Sequence, residues 1–153
     1  MEGCFCFTIN QRFIMDTITS SMAAATMLKP YLADSGHEEL WILVLKQFSP
    51  VLPIKINTGG LESVEIDFKH IIKEIILNDG DAVILFHNHP SCNPQPSSAD
   101  IKMTEKLRNA LDLMDIRLID HIILTAKEYF SFADEQIKKY VSQKQTRLCS
   151  NQQ

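Results

Sequence analysis

The segment that runs from Ala82 to Asp100 constrains the fold more than any other part of the chain. It begins with the short apolar run AVILF and continues as HNHPSCNPQPSSAD. A short apolar run of this length is typical of a buried strand, and the proline-rich loop 90–96 excludes regular structure. Ser97 followed three residues later by Asp100 is a helix-capping pattern. The segment therefore predicts a buried strand, a bend and the start of a helix, which is a building unit of α/β folds.

The remaining elements predict one α/β sandwich, in which helices flank a mixed β-sheet. Thr19 or Ser20 is the expected cap of the first helix, Pro30 is expected to end or kink it, and Gly59-Gly60 is expected to form a turn. Apolar spacing predicts helices at 19–32, 67–77 and 97–114, a short polar helix from 133, and strands at 3–13, 40–45, 51–57, 82–86, 116–125 and 129–132.

The expected domain organisation has three parts: a strand extension at 1–18, a single folded domain at 19–135 and a polar tail at 136–153. The length of 153 residues suits one domain, and 45% hydrophobic with 22% charged residues is ordinary for a globular protein.

Charge and hydropathy exclude some function classes. The net charge of −4 gives no general attraction for a polyanion, so it does not support nucleic-acid binding. We expect no membrane association, because no apolar run approaches the roughly 20 residues of a membrane span. The N-terminus lacks a signal-peptide pattern and the four cysteines form no CxxC, so we expect a cytoplasmic protein without disulfides.

Two histidines and one aspartate indicate a metal site. Side chains alternate along an extended segment, so His87 and His89 project to the same side. Asp100 reaches the same metal if the proline-rich loop folds back. Imidazole and carboxylate groups bind zinc, and three protein ligands leave a fourth position for water, which suits hydrolysis. Ser97, in the first helical turn, is placed to stabilise the oxyanion of a carbonyl addition intermediate.

Several residues in and around this site also have a simpler, structural interpretation. Ser97 and Asp100 form a helix-capping box that needs no metal. A proton shuttle would require a further carboxylate, for which Glu38 and Glu39 are candidates, although both could be solvated surface charges. His121, in the sequence Asp120-His121, is expected to make a structural hydrogen bond, with support of a metal ligand as the alternative hypothesis.

The same residues resemble a known family. The run HNHPSCNPQPSSAD is similar to the JAMM (MPN-type) zinc metalloprotease signature, H-x-H-P followed by S-x-x-D, with the serine seven positions after the proline. It resembles more closely the RadC family, with HNHPSG-[DN]-P-x-PS-x-x-D at this place. The segments EELWILVLK, DIRLIDHIIL and YFSFADE resemble further RadC segments, so the resemblance covers approximately Thr19 to Glu135.

The resemblance implies a JAMM/MPN-like, cytidine-deaminase-like fold and a zinc-dependent hydrolase of peptide or isopeptide bonds, in a family labelled with DNA repair. It makes His87, His89 and Asp100 the Zn²⁺ ligands and Ser97 the stabiliser of the tetrahedral intermediate. It places the shuttle at Glu38, with Glu39 as the fallback. The expected partner is a peptide or protein substrate, and the oligomeric state stays open.

Three features depart from the family pattern. The glycine of HPSG is Cys92, which would strain the loop if the position needs a positive φ, and would otherwise place a thiol near the metal. The family's Asn or Asp at the end of the first long strand is Lys46. We also expect a short form of the family, without the N-terminal helix-hairpin-helix segment.

Other functions are weighed against the hydrolase. A non-catalytic DNA-repair accessory or protein-binding module that retains the metal is the main alternative. A zinc nucleobase deaminase would need H-x-E with P-C-x-x-C, and the chain has no C-x-x-C. An HNH nuclease is not indicated by the letters His87-Asn88-His89, since in that class the three residues are dispersed over a ββα-metal fold.

Overall fold

Helices are interspersed among the strands along the described part of the chain. The computed structural model describes residues 18–32, 35–47, 49–58, 68–136 and 138–139. The elements are α1 (Ser21–Leu32), β1 (Glu39–Lys46), β2 (Ser49–Thr58), α2 (Phe68–Leu77), β3 (Ala82–Asn88), α3 (Ser98–Asp112), β4 (Arg117–Leu124) and β5 (Tyr129–Ser131). Residues 132–136 form a further helical turn after β5.

The five strands form one mixed sheet in the order β2-β1-β3-β4-β5. β3 and β4 are parallel, whereas β1 pairs antiparallel with both β2 and β3, and β5 pairs antiparallel with β4. The sheet confirms the predicted α/β class. β3, the strand that ends at the two histidines, lies at its centre, and every residue of β3 is buried.

Helices cover both faces of the sheet, which gives two apolar layers. α1 packs on one face through Ala24, Ala25, Leu28 and Leu32, against strand residues that include Leu43, Ile84 and Phe86. α2 and α3 pack on the other face, against strand residues that include Ile42, Val83 and Leu85. Since α3 carries Asp100, the second face is the one on which the predicted ligands meet.

The turn between α2 and β3 depends on the backbone conformation of residues 78–80. α2 is followed by Asn78-Asp79-Gly80, where Asp79 has φ 49° and the Gly80 amide donates to the Ile75 carbonyl at 2.9 Å. A Cβ at Gly80 would lie 2.4 Å from a methyl carbon of Val44. Glycine is therefore required where the end of α2 approaches the sheet.

Most predicted elements agree with the structure to within a few residues at each end. Ser20, not Thr19, caps α1, because its hydroxyl accepts the Ala23 amide at 3.1 Å. Pro30 does not end α1, which continues to Leu32. The strand predicted at 3–13, the Gly59-Gly60 turn and nearly all of the 1–18 extension and the 136–153 tail lie outside the described residues.

No helix in the described ranges combines the length and the apolar character that a membrane span requires.

Candidate metal centre

The end of β3 and the first turn of α3 together build the candidate site. His87 is the penultimate residue of β3 and pairs with Leu40 of β1 on one side and Ile123 of β4 on the other. His89 follows on the same side of the strand. The loop 90–96 then folds back, so that the carboxylate of Asp100 in α3 contacts both imidazole rings. Asp100 is fully buried and His87 is 1% exposed.

The structure brings the three predicted ligands together. One donor atom from each of His87, His89 and Asp100 lies within 4.8 Å of the other two. The two Nε2 atoms are 2.8 Å apart. His87 Nε2 lies 3.2 Å from Asp100 Oδ1, and His89 Nε2 lies 3.6 Å from Asp100 Oδ2. Two nitrogen donors and one carboxylate therefore converge on one point, which is a donor set that zinc accepts.

Two features of the cluster fit a bound cation. Asp100 Oδ1 is buried and has no hydrogen-bond partner, because its 3.2 Å approach to His87 lacks hydrogen-bond geometry. An unpartnered buried carboxylate oxygen is rare and calls for an explanation such as an ion. The Asn93 carbonyl lies 2.8 Å from His89 Nδ1, so this nitrogen carries a proton, and the other ring nitrogen, Nε2, faces the cluster. A divalent cation at the centre would satisfy both groups.

Burial and charge set the protonation of the ligands. Burial raises the pKa of Asp100, but contacts with the His87 and His89 rings and with Ser97 outweigh it and hold the pKa well below its usual range. Burial lowers the pKa of His87. Hydrogen bonding to Asp100 raises the pKa of His89, against the effect of burial. Asp100 is therefore ionised and His87 is held neutral, the forms in which they bind metal.

His121, on β4, makes the expected structural hydrogen bonds, and one of them is to the predicted ligand His87, so support of a metal ligand stays a hypothesis. Its Nε2 lies 2.8 Å from His87 Nδ1, and its Nδ1 lies 2.6 Å from the Thr104 hydroxyl. Its ring stacks on Phe132 with centroids 4.8 Å apart. The sequence reasoning missed Thr104. Its spacing of one helical turn from Asp100 was the available signal, since both side chains then lie on the same face of α3.

Glu39, the fallback for the proton shuttle, is engaged away from the cluster. Its carboxylate contacts Lys55 at 2.9 Å, the Trp41 indole at 2.9 Å, the Ser35 hydroxyl at 3.1 Å and His37 at 3.2 Å. Burial raises its pKa, but the bonds from Lys55, Trp41 and Ser35 outweigh that and lower it. Glu39 is therefore an ionised partner in a structural network on the α1 side of the sheet.

Glu38 has the opposite orientation to Glu39 because side chains alternate along a strand. Leu40 pairs with His87 in the β1–β3 ladder, so extending the antiparallel register places Glu38 opposite His89. The Glu38 charge is among the smaller influences that raise the pKa of both histidines, which agrees with this position. Glu38 is partly exposed, and it lies at the rim of the ligand cluster.

Ser97 forms the capping box that the sequence allowed. Its hydroxyl donates to Asp100 Oδ2 at 2.7 Å and accepts the Asp100 amide at 3.2 Å, while its own amide donates to Oδ2 at 2.7 Å. Capping and metal ligation are compatible, because the box occupies Oδ2 and leaves Oδ1 without a partner. Ser97 is exposed, and its role in stabilising an oxyanion stays a prediction.

The departures at Cys92 and Lys46 have different consequences. Cys92 has φ 61°, so the position does need the left-handed conformation for which glycine is suited. The residue is exposed, and the group of metal-ligating side chains found among the described residues does not include its thiol. Lys46 lies at the exposed end of β1 and pairs with Asp79 at 3.2 Å. That end of β1 lies beside the start of β3, at the opposite end of the strand from His87.

Comparison with known proteins agrees with this geometry. Residues 18–137 match a family model described as the RadC-like JAB domain. A UPF0758 protein of Flavobacterium johnsoniae is 36% identical over 78% of this chain and 53% of its own length. The UPF0758 protein YfjY of Escherichia coli is 35% identical over 83% of this chain and 82% of its own length. The UPF0758 protein YeeS of Escherichia coli is 37% identical over 76% of this chain and 79% of its own length. The chain spans about half the length of several of the curated relatives it matches.

Proposed function

This chain belongs to the RadC-like JAB domain family, and from that premise we propose that it is a zinc-dependent hydrolase of peptide or isopeptide bonds. The observation that carries the proposal is the buried Asp100 Oδ1, which has no hydrogen-bond partner and lies beside the Nε2 atoms of His87 and His89. A cluster of two imidazoles and an ionised carboxylate at a partly open rim suits a catalytic zinc ion better than a structural one.

His87, His89 and Asp100 would hold the ion, and the capping bonds from Ser97 would keep the Asp100 carboxylate in place. When bound, zinc would supply a Lewis acid for the scissile carbonyl and would lower the pKa of a water to about 7. His89 is partly exposed, so a substrate would approach the cluster from the side of His89. A substrate carbonyl would reach the cluster from there.

Glu38 is the proposed proton shuttle. Its position opposite His89 at the rim would allow its carboxylate to accept a proton from the attacking water and to deliver it to the leaving nitrogen. Glu39 is unsuited to this role, because its carboxylate is bound to Lys55 and Trp41. For Ser97 to stabilise an oxyanion, its hydroxyl would have to turn from Asp100 Oδ2 towards the substrate.

The proposed partner is a peptide or protein substrate in the cytoplasm. A non-catalytic DNA-repair or protein-binding module is the competing proposal, and the net charge of −4 argues against direct DNA contact. Salt-dependent binding of the purified chain to a duplex DNA would favour that competitor.

Metal analysis of the purified protein and of His89→Ala tests the metal site. Wild-type protein is expected to retain close to one zinc ion per chain after dialysis, because three ligand atoms converge within 4.8 Å. His89→Ala removes one of the three ligands and is expected to lose most of the metal. Equal zinc content in the two proteins would contradict the assignment of the site.

Glu38→Gln tests the hydrolytic step, with Glu39→Gln as its matched control. The probe is a proteome-derived peptide library that includes lysine-branched isopeptides, with new termini read by mass spectrometry. Zinc-loaded wild type is expected to cleave it, whereas Glu38→Gln should lose at least about 100-fold in rate, as expected for loss of a general base. Its zinc content should be unchanged.

Glu39→Gln should retain cleavage, because an amide can still accept from Trp41 and contact Lys55. Loss of cleavage in Glu39→Gln but not in Glu38→Gln would reverse the assignment of the shuttle. Absence of any cleavage by the zinc-loaded wild type would contradict the hydrolase.

A further inference from the structure

A line of buried hydrogen bonds runs from α3 through β4 to the metal ligand on β3. It joins the Thr104 hydroxyl to His121 Nδ1 and His121 Nε2 to His87 Nδ1. We propose that Thr104 and His121 are positioning residues that lock His87 in the Nδ1–H tautomer, with the Nε2 lone pair directed at the metal position. The importance of this tautomer for zinc rests on the proposed metal site.

The first step is the direction of the Thr104 hydroxyl. Its oxygen lies 2.6 Å from the Asp100 carbonyl oxygen one helical turn earlier. Two oxygen atoms at that distance repel each other unless a hydrogen lies between them, and a carbonyl cannot donate. The single hydroxyl proton of Thr104 is therefore used on Asp100. Its oxygen is then the acceptor for His121 Nδ1–H at 2.6 Å.

The second step is the tautomer of His121. The ring is fully buried, and the hydrogen-bond partners of its two nitrogens are a hydroxyl and another imidazole. Neither partner is a carboxylate that would compensate a buried positive charge, so the ring is the neutral imidazole. With the proton on Nδ1, Nε2 of His121 carries a lone pair.

The third step fixes His87. Its Nδ1 lies 2.8 Å from His121 Nε2, and one hydrogen must lie between the two nitrogens. Because His121 Nε2 has only a lone pair, the hydrogen belongs to His87 Nδ1. The neutral His87 ring then has its lone pair on Nε2, which faces Asp100 Oδ1 at 3.2 Å and can accept a hydrogen from His89 Nε2, 2.8 Å away.

The same hydroxyl connects two of the three ligands. Thr104 bonds the backbone carbonyl of Asp100 directly and reaches His87 through His121. The orientation of the His89 ring is set separately, by its Nδ1 hydrogen bond to the Asn93 carbonyl at 2.8 Å. Hydrogen-bond partners on the non-ligating nitrogen set the tautomer and orientation of metal-binding histidines. Thr104 therefore acts on the metal site from inside the core without touching the metal.

Thr104→Val and Thr104→Ser form the test pair. Valine keeps the β-branched shape of threonine and removes the hydroxyl, whereas serine keeps the hydroxyl. Two quantities are measured at neutral pH: the tautomer of His87 in metal-free protein, from long-range ¹H–¹⁵N correlation of the imidazoles, and zinc affinity, from competition with a chelator.

Metal-free wild type and Thr104→Ser are expected to show His87 as the Nδ1–H tautomer. In Thr104→Val, His121 loses its acceptor on Nδ1, so its proton is expected to move to Nε2. That would turn part of the His87 population to the Nε2–H form, whose hydrogen points at the metal position. Zinc affinity of the valine variant should fall about 10- to 100-fold, with serine close to wild type.

An Nε2–H tautomer of His87 in metal-free wild type would overturn the inference. So would a valine variant with wild-type tautomer and wild-type zinc affinity. A wild type that shows the Nδ1–H tautomer but binds no zinc would contradict the proposed function, while the tautomer measurement would still support the hydrogen-bond chain. The two proposals can therefore fail independently.

Discussion

The backbone at Cys92 lies in the left-handed region, with φ 61°, in the loop that leads from His89 to the cap of α3. A Cβ in this conformation meets the neighbouring carbonyl oxygen, which costs about 1–2 kcal/mol for a residue other than glycine. The loop still delivers Asp100 to the ligand cluster, so the surrounding structure tolerates the strain. The residue itself is exposed; its amide donates to the His89 carbonyl at 3.1 Å, and its thiol lies 3.8 Å from the Pro90 carbonyl.

Cys92→Gly is expected to stabilise the protein. Glycine relieves the left-handed strain but adds backbone freedom to the unfolded chain, so the free energy of unfolding should rise by up to about 1 kcal/mol. Urea denaturation of the metal-free protein under reducing conditions measures it. Cys92→Ala is the matched control and should give no gain, because alanine retains the Cβ. A gain that is equal in both variants would attribute the effect to the thiol.

At the scale of the elements, Asn88 connects the end of β3 to the segment that precedes β1. Its Oδ1 accepts the Glu39 amide at 2.7 Å, and its Nδ2 donates to the His37 carbonyl at 2.9 Å. These two backbone groups flank Glu38. A buried residue between the two histidines therefore holds the backbone on both sides of the proposed shuttle, and the sequence reasoning gave it no role.

Asn88→Asp is expected to loosen this connection selectively. The carboxylate can still accept the Glu39 amide, but its other oxygen would face the His37 carbonyl without a proton. Loss of the donor and repulsion between oxygens should cost about 1–3 kcal/mol of stability. Amide hydrogen exchange at Glu39 should accelerate, and peptide cleavage should fall while zinc content stays near that of wild type. Exchange at Glu39 unchanged from wild type would contradict this role.

The strand, loop and helix around the site were predictable because each depends on local chemistry. Apolar length predicted β3, alternation placed His87 and His89 on one side, and the capping pattern predicted the start of α3. The choice between Glu38 and Glu39 depends on the register of β1 against β3, which no local pattern contains. Thr104 and Asn88 were missed for a related reason, since His121 and Glu39, the partners that connect them to the site, are distant in the sequence and are met only through tertiary packing.

At the scale of the whole molecule, the ligand cluster lies where the central strand β3 ends and α3 begins. α2 and α3 bury their apolar side chains against this face of the sheet. Folding therefore requires an ionised Asp100 to be fully buried next to two imidazoles whose Nε2 atoms are 2.8 Å apart. Without a cation, that arrangement opposes folding, because Asp100 Oδ1 is buried without a hydrogen bond and the two imidazole nitrogens crowd each other.

Zinc is accordingly expected to stabilise the whole domain. A metal that binds only the folded state adds about 3–4 kcal/mol when its concentration is 100 to 1,000 times the dissociation constant. For a chain of this size, that corresponds to a rise in Tm of about 10 °C over chelator-treated protein, measured by calorimetry. Glu38→Gln should show the same rise, because Glu38 is not a ligand. His89→Ala should show little. A Tm that chelator leaves unchanged in protein known to contain zinc would mean that folding does not depend on filling this cluster.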